Sequence, residues 1–301
     1  MQTLQSLGEV GLIARIAKRL PASSWVRRGI GDDAAVLRWP ARQELLFASD
    51  MLVEGVHFRR GDPPRAIGWK ALACNISDIA AMGGRPCAAV VSLGLPPSTP
   101  VRFVDALYAG LRACAGRFDV DIVGGDTVRA PQVVVDVAII GRVAPGRAVL
   151  RSGARVGDRL FVTGRLGGSL RSGRHAIFVP RVREAQALVR RVSPSAMMDL
   201  SDGLASDLWQ MARASRVTMR VEAARIPIAR AAHTLEHALM DGEDFELLFT
   251  VPKTRIARVP KSIGRVPVTQ IGRVTGRGAQ VELLKTDGQI TTILPTGFRH
   301  F

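Results

Sequence analysis

Residues 121–143, DIVGGDTVRAPQVVVDVAIIGRV, hold two strand patterns in direct succession. The first, at 121–126, ends in a glycine turn, and the second, at 132–143, is a long apolar strand. Because no helix-length segment separates them, they do not fit a doubly wound sheet, in which helices alternate with strands. The stretch therefore predicts an α+β fold.

The flanking segments continue this mixture of elements. On the N-terminal side the patterns predict helices over 8–20, 64–82 and 99–117 and strands over 45–50 and 87–95. The pattern breaks over 144–158, which is typical of a domain junction. Beyond it they predict helices near 181–191 and 203–214 and strands near 159–164, 195–200, 217–222, 246–251, 266–275 and 279–284. A chain of 301 residues exceeds what one core usually absorbs, so we predict two domains, 1–145 and 146–301.

The bulk composition limits the class of protein. The net charge is +16, but the arginines are scattered singly and only one tyrosine is present, which disfavours nucleic-acid binding as the main function. There is no apolar run of the ~20 residues that a membrane span needs, and no secretion-signal pattern. We therefore expect a cytoplasmic protein without a membrane partner. Its three cysteines have no zinc-site spacing and are expected to be small buried residues.

The acidic residues are unevenly distributed. Twelve of the 26 fall in six short motifs, GDD, ASD, NISD, GGD, MDLSDGLASD and DGEDFE, mostly where an apolar run meets Gly or Ser. The ends of strands are where α/β proteins place ligand sites. Each motif alone also has a simpler interpretation: Asp32–Asp33 as a turn, Asp202 as a helix cap, DGEDFE as a hairpin loop. Six of them together indicate a site at which the carboxylates converge.

Converging carboxylates repel one another unless cations neutralise them. Mg²⁺ is the usual cation when phosphates supply the remaining ligands, and glycines let backbone N–H groups approach phosphate oxygens. The chain has no GxxxxGK[ST] loop, no protein-kinase motif set, no GxSxG elbow and no GxGxxG fingerprint at its first strand turn. The residues alone thus predict a Mg²⁺-dependent, phosphate-handling protein of uncommon fold.

Taken in order, the motifs resemble the thiamine-monophosphate kinase family from about residue 6 to the end. They are GIGDDAAVL, SDMLVEGVHF, KALACNISDIAAMGGRP, VGGDTVR, LRSGARVGD, MDLSDGLASDL, GEDFELLF and GFRHF. The resemblance implies an N-terminal α/β domain with a mixed sheet that dimerises, followed by a C-terminal α+β domain. It also implies phosphorylation of thiamine monophosphate by ATP, by direct in-line transfer with several Mg²⁺ ions, in a homodimer.

The resemblance assigns roles residue by residue. Mg²⁺ ligands are implied at Asp33, Ser49, Asp50, Asp78, Asp126, Asp199 and Asp202. ATP contacts are implied at Tyr108, Gly125, Asp126, Arg151 and Ser201, and contacts with thiamine phosphate at His57, Glu243 and Phe298. Arg151 stabilises charge, and no residue is an obligatory base, because the acceptor phosphate is already ionised.

Two departures from the family pattern stand out. Ala48 occupies a position where relatives often carry a hydroxyl residue, and segment 164–191 is shorter than expected. Two alternatives stay open. One is an ATP-dependent ligase or cyclase of the aminoimidazole ribonucleotide synthetase type, against which His57 and GFRHF argue. The other is a non-catalytic, basic nucleic-acid-binding relative.

Overall fold

The computed structural model describes residues 12, 15–21, 23–28, 36–37 and 39–298. Contacts divide the chain into two compact units. Unit 1 comprises Met1–Ile79 and Arg85–Gly146, and unit 2 comprises Ala80–Gly84 and Arg147–Phe301. Within the described residues, no helix is long and apolar enough to span a bilayer.

Unit 1 is built on a four-stranded mixed sheet. Its elements in chain order are β1 (Val26–Arg28), β2 (Val36–Leu37), β3 (Glu44–Val53), α1 (Pro64–Ala81), β4 (Arg85–Leu95), α2 (Val101–Phe118), β5 (Asp121–Arg129) and β6 (Val134–Val143). The sheet order is β3-β6-β4-β5, and β1 and β2 form a separate pair. The β4–β5 pair is parallel, whereas β6 is antiparallel to both of its neighbours.

One face of this sheet is buried, because alternate side chains of β6 are fully covered. Val135, Val137 and Ile139 are each 0% exposed, whereas the residues between them are half-buried. The two long helices approach each other closely through glycines. A Cβ at Gly68 would lie 2.0 Å from the Leu107 carbonyl oxygen, and a Cβ at Gly110 would lie 1.9 Å from that of Arg65. Any larger residue at either position would force the two helices apart.

Unit 2 contains an eight-stranded sheet. Its elements are β7 (Arg159–Thr163), α3 (Ser169–Ser172), α4 (Arg174–Ile177), α5 (Val182–Arg191), β8 (Ala196–Asp199), α6 (Leu204–Ser215), β9 (Val217–Glu222), α7 (Leu235–Met240), β10 (Leu247–Val251), β11 (Ser262–Ile263), β12 (Val266–Arg277), β13 (Gln280–Leu284) and β14 (Ile290–Thr292). The order is β14-β13-β9-β12-β7-β10-β8, with β11 paired to β12.

Both faces of this sheet are covered at β10, whose residues are all buried. Leu248 packs into a cluster around α6, and Phe249 packs into a second cluster around α5, where it stacks on Phe161. The second cluster also contains Ala80 and Ala81. Burial on both faces explains why LLFTV reads as a continuous apolar run and not as an alternating strand.

The structure confirms the α+β class, the mixed sheet of unit 1, and the long helices and the strands predicted within the described residues. The expected glycine turn at the end of 121–126 is wrong, because β5 stays paired with β4 through Gly124 and Gly125 and continues to Arg129. Several short elements were not predicted, among them β1, β2, α3, α4, α7, β11 and β14. The predicted helix over 8–20 lies largely outside the described residues. The three cysteines are free and buried, as expected.

Candidate functional site

The loop after β8 carries an acidic cluster. Asp199 ends the strand and is 4% exposed, and Asp202 lies just before α6. Asp207, on the first turn of α6, is 0% exposed and accepts a hydrogen bond from the Asp202 backbone N–H (3.3 Å). Burial raises the pKa of Asp207 well above its usual value, and the charges of Asp202 and Asp199 raise it further. The three carboxylates are therefore close enough to repel one another.

Arg151 is linked to this cluster through Gln210. The Arg151 Nη1 donates to Gln210 Oε1 (2.8 Å). The Gln210 Nε2 donates to Asp202 Oδ2 (3.1 Å) and to Asp207 Oδ1 (3.2 Å). One amide group thus joins an exposed cation to two carboxylates.

Backbone hydrogen bonds bring the DGEDFE loop and the C-terminal segment to the same place. Glu243 N donates to Ser201 O (2.7 Å), and Phe298 N donates to Asp202 O (3.1 Å). Gly297 passes so close that a Cβ there would lie 2.2 Å from Asp202 O. The structure therefore brings together Asp199, Ser201, Asp202, Glu243 and Phe298. The resemblance described above assigns a role to each of them.

The conformation of the DGEDFE loop is unusual. Glu243 and Phe245 have positive φ angles, of 51° and 48°. Such non-glycine conformations persist only where the surroundings impose them, and they are frequent at binding sites. Phe245 is held by stacking on Phe178 and by its N–H, which donates to Leu200 O (2.8 Å). The loop is thereby locked with Glu243 beside Ser201.

Two buried acids, Glu246 and Asp244, hold this loop in place. Glu246 is 0% exposed and accepts from Thr163 Oγ1 and Arg181 Nε, both at 2.7 Å. Asp244 accepts from Gly167 N (2.8 Å) and pairs with Arg174. Burial raises the pKa of Asp244 to about 6, although the Gly167 N–H and Arg174 oppose this rise.

The partners of these acids were not predicted from the sequence. Arg174 and Arg181 lie about 65 to 72 residues from their carboxylates, and no local pattern marks such pairs. Gln210 was missed as well, because a single glutamine on a helix carries no signal of its own. Asp207 was counted with the acidic motif but given no role.

In unit 1, a hydrogen bond from Asp50 to Asn75 joins β3 to the part of α1 that carries Asp78. The Asp50 N–H donates to Asn75 Oδ1 (3.1 Å), and Asn75 lies three positions before Asp78 on α1. Ser49 points to the opposite face, where its hydroxyl donates to Asp136 Oδ1 (3.0 Å). Asp33 lies outside the described residues.

Asp126 is not brought to Asp50 within the sheet of unit 1. They lie on β5 and β3, the two edge strands, three strand spacings or about 14 Å apart. Asp50 is opposite the buried Val137, whereas Asp126 is opposite Ser92 on the less covered face. The strand order therefore separates this pair within one sheet.

His57 follows β3, and its ring orientation is fixed. Its Nδ1 accepts a hydrogen bond from the Val53 N–H (3.1 Å), so the proton of the neutral ring lies on Nε2. Lys70 Nζ donates to the His57 carbonyl (2.8 Å). Tyr108, by contrast, is 5% exposed inside α2, and burial raises the pKa of its hydroxyl. This position favours packing over contact with a nucleotide.

Among the described residues, no group of three His, Cys, Asp or Glu side chains is arranged to hold a metal ion. In proteins, Mg²⁺ is commonly bound by one or two carboxylates together with phosphates and waters. The mutual repulsion of Asp199, Asp202 and Asp207 is what a divalent cation relieves. The donor chemistry therefore fits Mg²⁺.

The chain is similar to known proteins over both units. Residues 31–143 match the AIR synthase related protein, N-terminal domain, and residues 155–284 match the AIR synthase related protein, C-terminal domain. The thiamine-monophosphate kinase of Rhodopirellula baltica is 38% identical, over 97% of both chains. The crystal structure of that enzyme from Stenotrophomonas maltophilia has a TM-score of 0.80 at 33% identity, over 92% of this chain and 96% of that chain. The structure of AaThiL complexed with AMPPCP and TMP has a TM-score of 0.76 at 33% identity, over 100% of this chain and 99% of that chain.

The two units and their acidic loops thus define a two-domain protein of the AIR synthase related class. Matches above 30% identity over nearly the whole length narrow the class further. The chain belongs to the thiamine-monophosphate kinase family.

Proposed function

We propose that the protein is an ATP-dependent kinase that converts thiamine monophosphate to thiamine diphosphate. The main structural support is the meeting of Ser201, Asp202, Glu243 and Phe298 in unit 2 through backbone hydrogen bonds. The resemblance implies nucleotide, metal and substrate contacts at these positions, which come from three separate segments of the chain. The relatives named above carry this activity in their names, and one was solved with AMPPCP and TMP.

Mg²⁺ is proposed to bind as several separate ions, with ligands among Asp33, Ser49, Asp50, Asp78, Asp126, Asp199 and Asp202. When bound, it neutralises phosphate charge during transfer. The buried, mutually repelling carboxylates after β8 are the observation in this chain that supports it. Gly125, Asp126, Arg151 and Ser201 are proposed to contact ATP. Tyr108 is left out of this group because its side chain is buried.

The remaining residues orient the acceptor. The Nε2–H group of His57 donates to the substrate phosphate, because Nδ1 already accepts a hydrogen bond from the Val53 N–H. Phe298, 43% exposed, stacks on the cationic thiamine ring, and Glu243 supplies a negative charge beside it. The acceptor oxygen is already ionised, so alignment and the charge of Arg151 are the chain's contributions, without an obligatory base.

The decisive assay measures ADP formation from ATP and Mg²⁺ with thiamine monophosphate, and with unphosphorylated thiamine as the control substrate. Thiamine diphosphate formed from the monophosphate is the expected result. Product from free thiamine alone would overturn the substrate assignment. If folded protein turns over neither substrate, the proposed kinase activity is wrong.

The metal assignment is tested by Asp78→Asn. This variant should raise the Mg²⁺ concentration needed for half-maximal rate and lower kcat by orders of magnitude, with the fold intact. Asp119→Asn is the matched control, because Asp119 caps α2 with a left-handed backbone, which asparagine also adopts. If Asp78→Asn and Asp119→Asn behave alike, Asp78 is not a metal ligand.

The protein is also proposed to be a homodimer of two-domain chains, 1–145 and 146–301, in the cytoplasm. The less covered face of the unit 1 sheet carries Leu45, Phe47 and Met51, which are 53%, 72% and 52% exposed. Apolar residues so exposed on one strand are typical of an interface. Phe47→Asp should give a monomer by sedimentation analysis, whereas Leu170→Asp, at an equally exposed position of unit 2, should not. An unchanged dimer with Phe47→Asp would place the interface elsewhere.

A further inference from the structure

Gln210 has two sets of partners of opposite charge. Its Oε1 faces the Arg151 guanidinium and its Nε2 faces the carboxylates of Asp202 and Asp207, all at 2.8 to 3.2 Å. An uncharged amide can accept from a cation and donate to an anion at the same time. A glutamate in its place would lack the donor, and a lysine would lack the acceptor.

Helix α6 supports this arrangement at a second point. The Ser215 hydroxyl donates to the Arg151 carbonyl (2.7 Å) and accepts from the Ala154 N–H (3.2 Å). The backbone of Arg151 is thus fixed at the end of α6, while Gln210, five residues earlier, fixes its side chain. Arg151 is otherwise exposed, and a long exposed side chain loses considerable entropy when it is held in one geometry. Because Gln210 already holds the Arg151 side chain, less conformational entropy is lost when a ligand binds.

Gln210 also stabilises the carboxylates of Asp202 and Asp207. Asp207 is buried and close to the charges of Asp202 and Asp199, so a donor between Asp202 and Asp207 reduces their repulsion. It also fixes the rotamer of Asp202. The same side chain therefore sets the position of a cation and of an anion on either side of it.

We propose that Gln210 is a positioning residue that sets Arg151 and Asp202 together, so that phosphate contact and metal coordination form as one unit. This inference rests on the proposed function, in which Arg151 contacts ATP and Asp202 holds Mg²⁺. Gln210 itself touches neither the substrate nor the transferred phosphate in this proposal. It acts through the two side chains that do.

The test measures binding of AMPPCP by calorimetry at several Mg²⁺ concentrations. Gln210→Met has a similar size but no hydrogen-bonding group. It should weaken AMPPCP binding about tenfold, the loss expected for one hydrogen bond to a charged group. It should also raise the half-saturating Mg²⁺ concentration, while KM for thiamine monophosphate stays within about twofold. Gln210→Glu keeps the acceptor for Arg151 and should retain more of the Mg²⁺-free nucleotide affinity than Gln210→Met.

Two controls separate positioning from folding. Gln186→Met also removes half-buried amide hydrogen bonds, here to the carbonyls of Gly83 and Gly84, and should lower the melting temperature without changing AMPPCP affinity. In a double-mutant cycle, adding Gln210→Met to Arg151→Met should weaken Mg²⁺-free binding by less than about twofold, because the shared partner is already gone.

The outcomes distinguish the inference from the proposed function. If the wild-type protein neither binds AMPPCP nor phosphorylates thiamine monophosphate, the proposed function fails. If it does both and Gln210→Met has the same AMPPCP affinity and Mg²⁺ dependence, the positioning role fails. Additive effects of Arg151→Met and Gln210→Met would refute the coupling between them.

Discussion

Gly125, in the GGD motif within β5, should tolerate no side chain. Its φ is +155°, and an added Cβ would lie 1.9 Å from the carbonyl oxygen of Val91 and 2.7 Å from its carbonyl carbon. Both atoms belong to the backbone of β4, which is paired to β5 over its length and to β6 on its other side. A flexible side chain could turn away from the new methyl group, but this backbone is held on both sides.

The cost of Gly125→Ala has two parts. The backbone conformation, which is rare outside glycine, costs roughly 1–3 kcal/mol. Forcing the two strands apart costs roughly another 1–3 kcal/mol, as for other overpacked sites. We therefore expect a loss of about 2–6 kcal/mol in the free energy of unfolding, and weaker AMPPCP binding because Asp126 moves with β5.

Two alanine substitutions in the same unit serve as controls. Gly124→Ala would meet only the Val90 Cγ1, at 3.3 Å, and should cost far less. Gly116→Ala in α2 meets nothing within 4 Å and should stabilise by about 0.5–1 kcal/mol. Urea unfolding followed by circular dichroism gives the free energies, and hydrogen exchange of the β4 and β5 peptides locates the change. A Gly125→Ala variant as stable as Gly116→Ala would show that β5 does not run as described.

The other predictions concern the buried groups. Glu246→Gln leaves the Arg181 cation without its charged partner and should lower the free energy of unfolding in urea by about 3–5 kcal/mol. Glu222→Gln, which breaks only the more exposed pair with Arg225, should lower it by under about 1 kcal/mol. Equal losses in the two variants would contradict the role of the buried pair. Because the folded-state pKa of Asp244 is raised from 3.8 to about 6, the folded state binds the extra proton between those values. The stability of the wild type relative to Asp244→Asn should therefore fall as the pH rises from 4 to 7, by roughly 1–3 kcal/mol; a rise would mean that the pair with Arg174 outweighs burial. Burial raises the pKa of the Cys87 and Cys114 thiols, so Ellman's reagent should modify none of the three cysteines before urea is added and all three afterwards; rapid reaction without urea would show that a thiol is accessible.

Much of the fold was predictable because its elements carry local signals. Residues 246–251 are apolar throughout, and β10 is indeed covered on both faces. The acids after β8 stand where an apolar run meets Ser and Gly, and that junction marks the end of a strand and the start of α6. Each of these signals lies within a few neighbouring residues.

The unpredicted features depend on contacts between distant residues. Nothing around Arg181 indicates that it meets Glu246, because the pairing arises only when the α5 end and β10 pack together. The separation of Asp50 from Asp126 follows from the order β3-β6-β4-β5, which local patterns do not encode. Gln210 acquires its partners from a loop eight residues back and from Arg151 at a much greater distance along the chain.

Unit 2 takes a short piece of its core from early in the chain. Ala80 and Ala81 pack with Phe161 and Phe249, Met82 O accepts from Val149 N, and Gly83 O and Gly84 O accept from Gln186. On the ribosome, the residues of unit 1 have all been synthesised once Gly146 has emerged, whereas the second core must close around a peptide made some seventy residues before its first strand. Translation order therefore favours completion of the N-terminal unit first. Moving the gene segment for 147–301 to the front of the coding sequence should slow maturation of the protein even if every residue is kept.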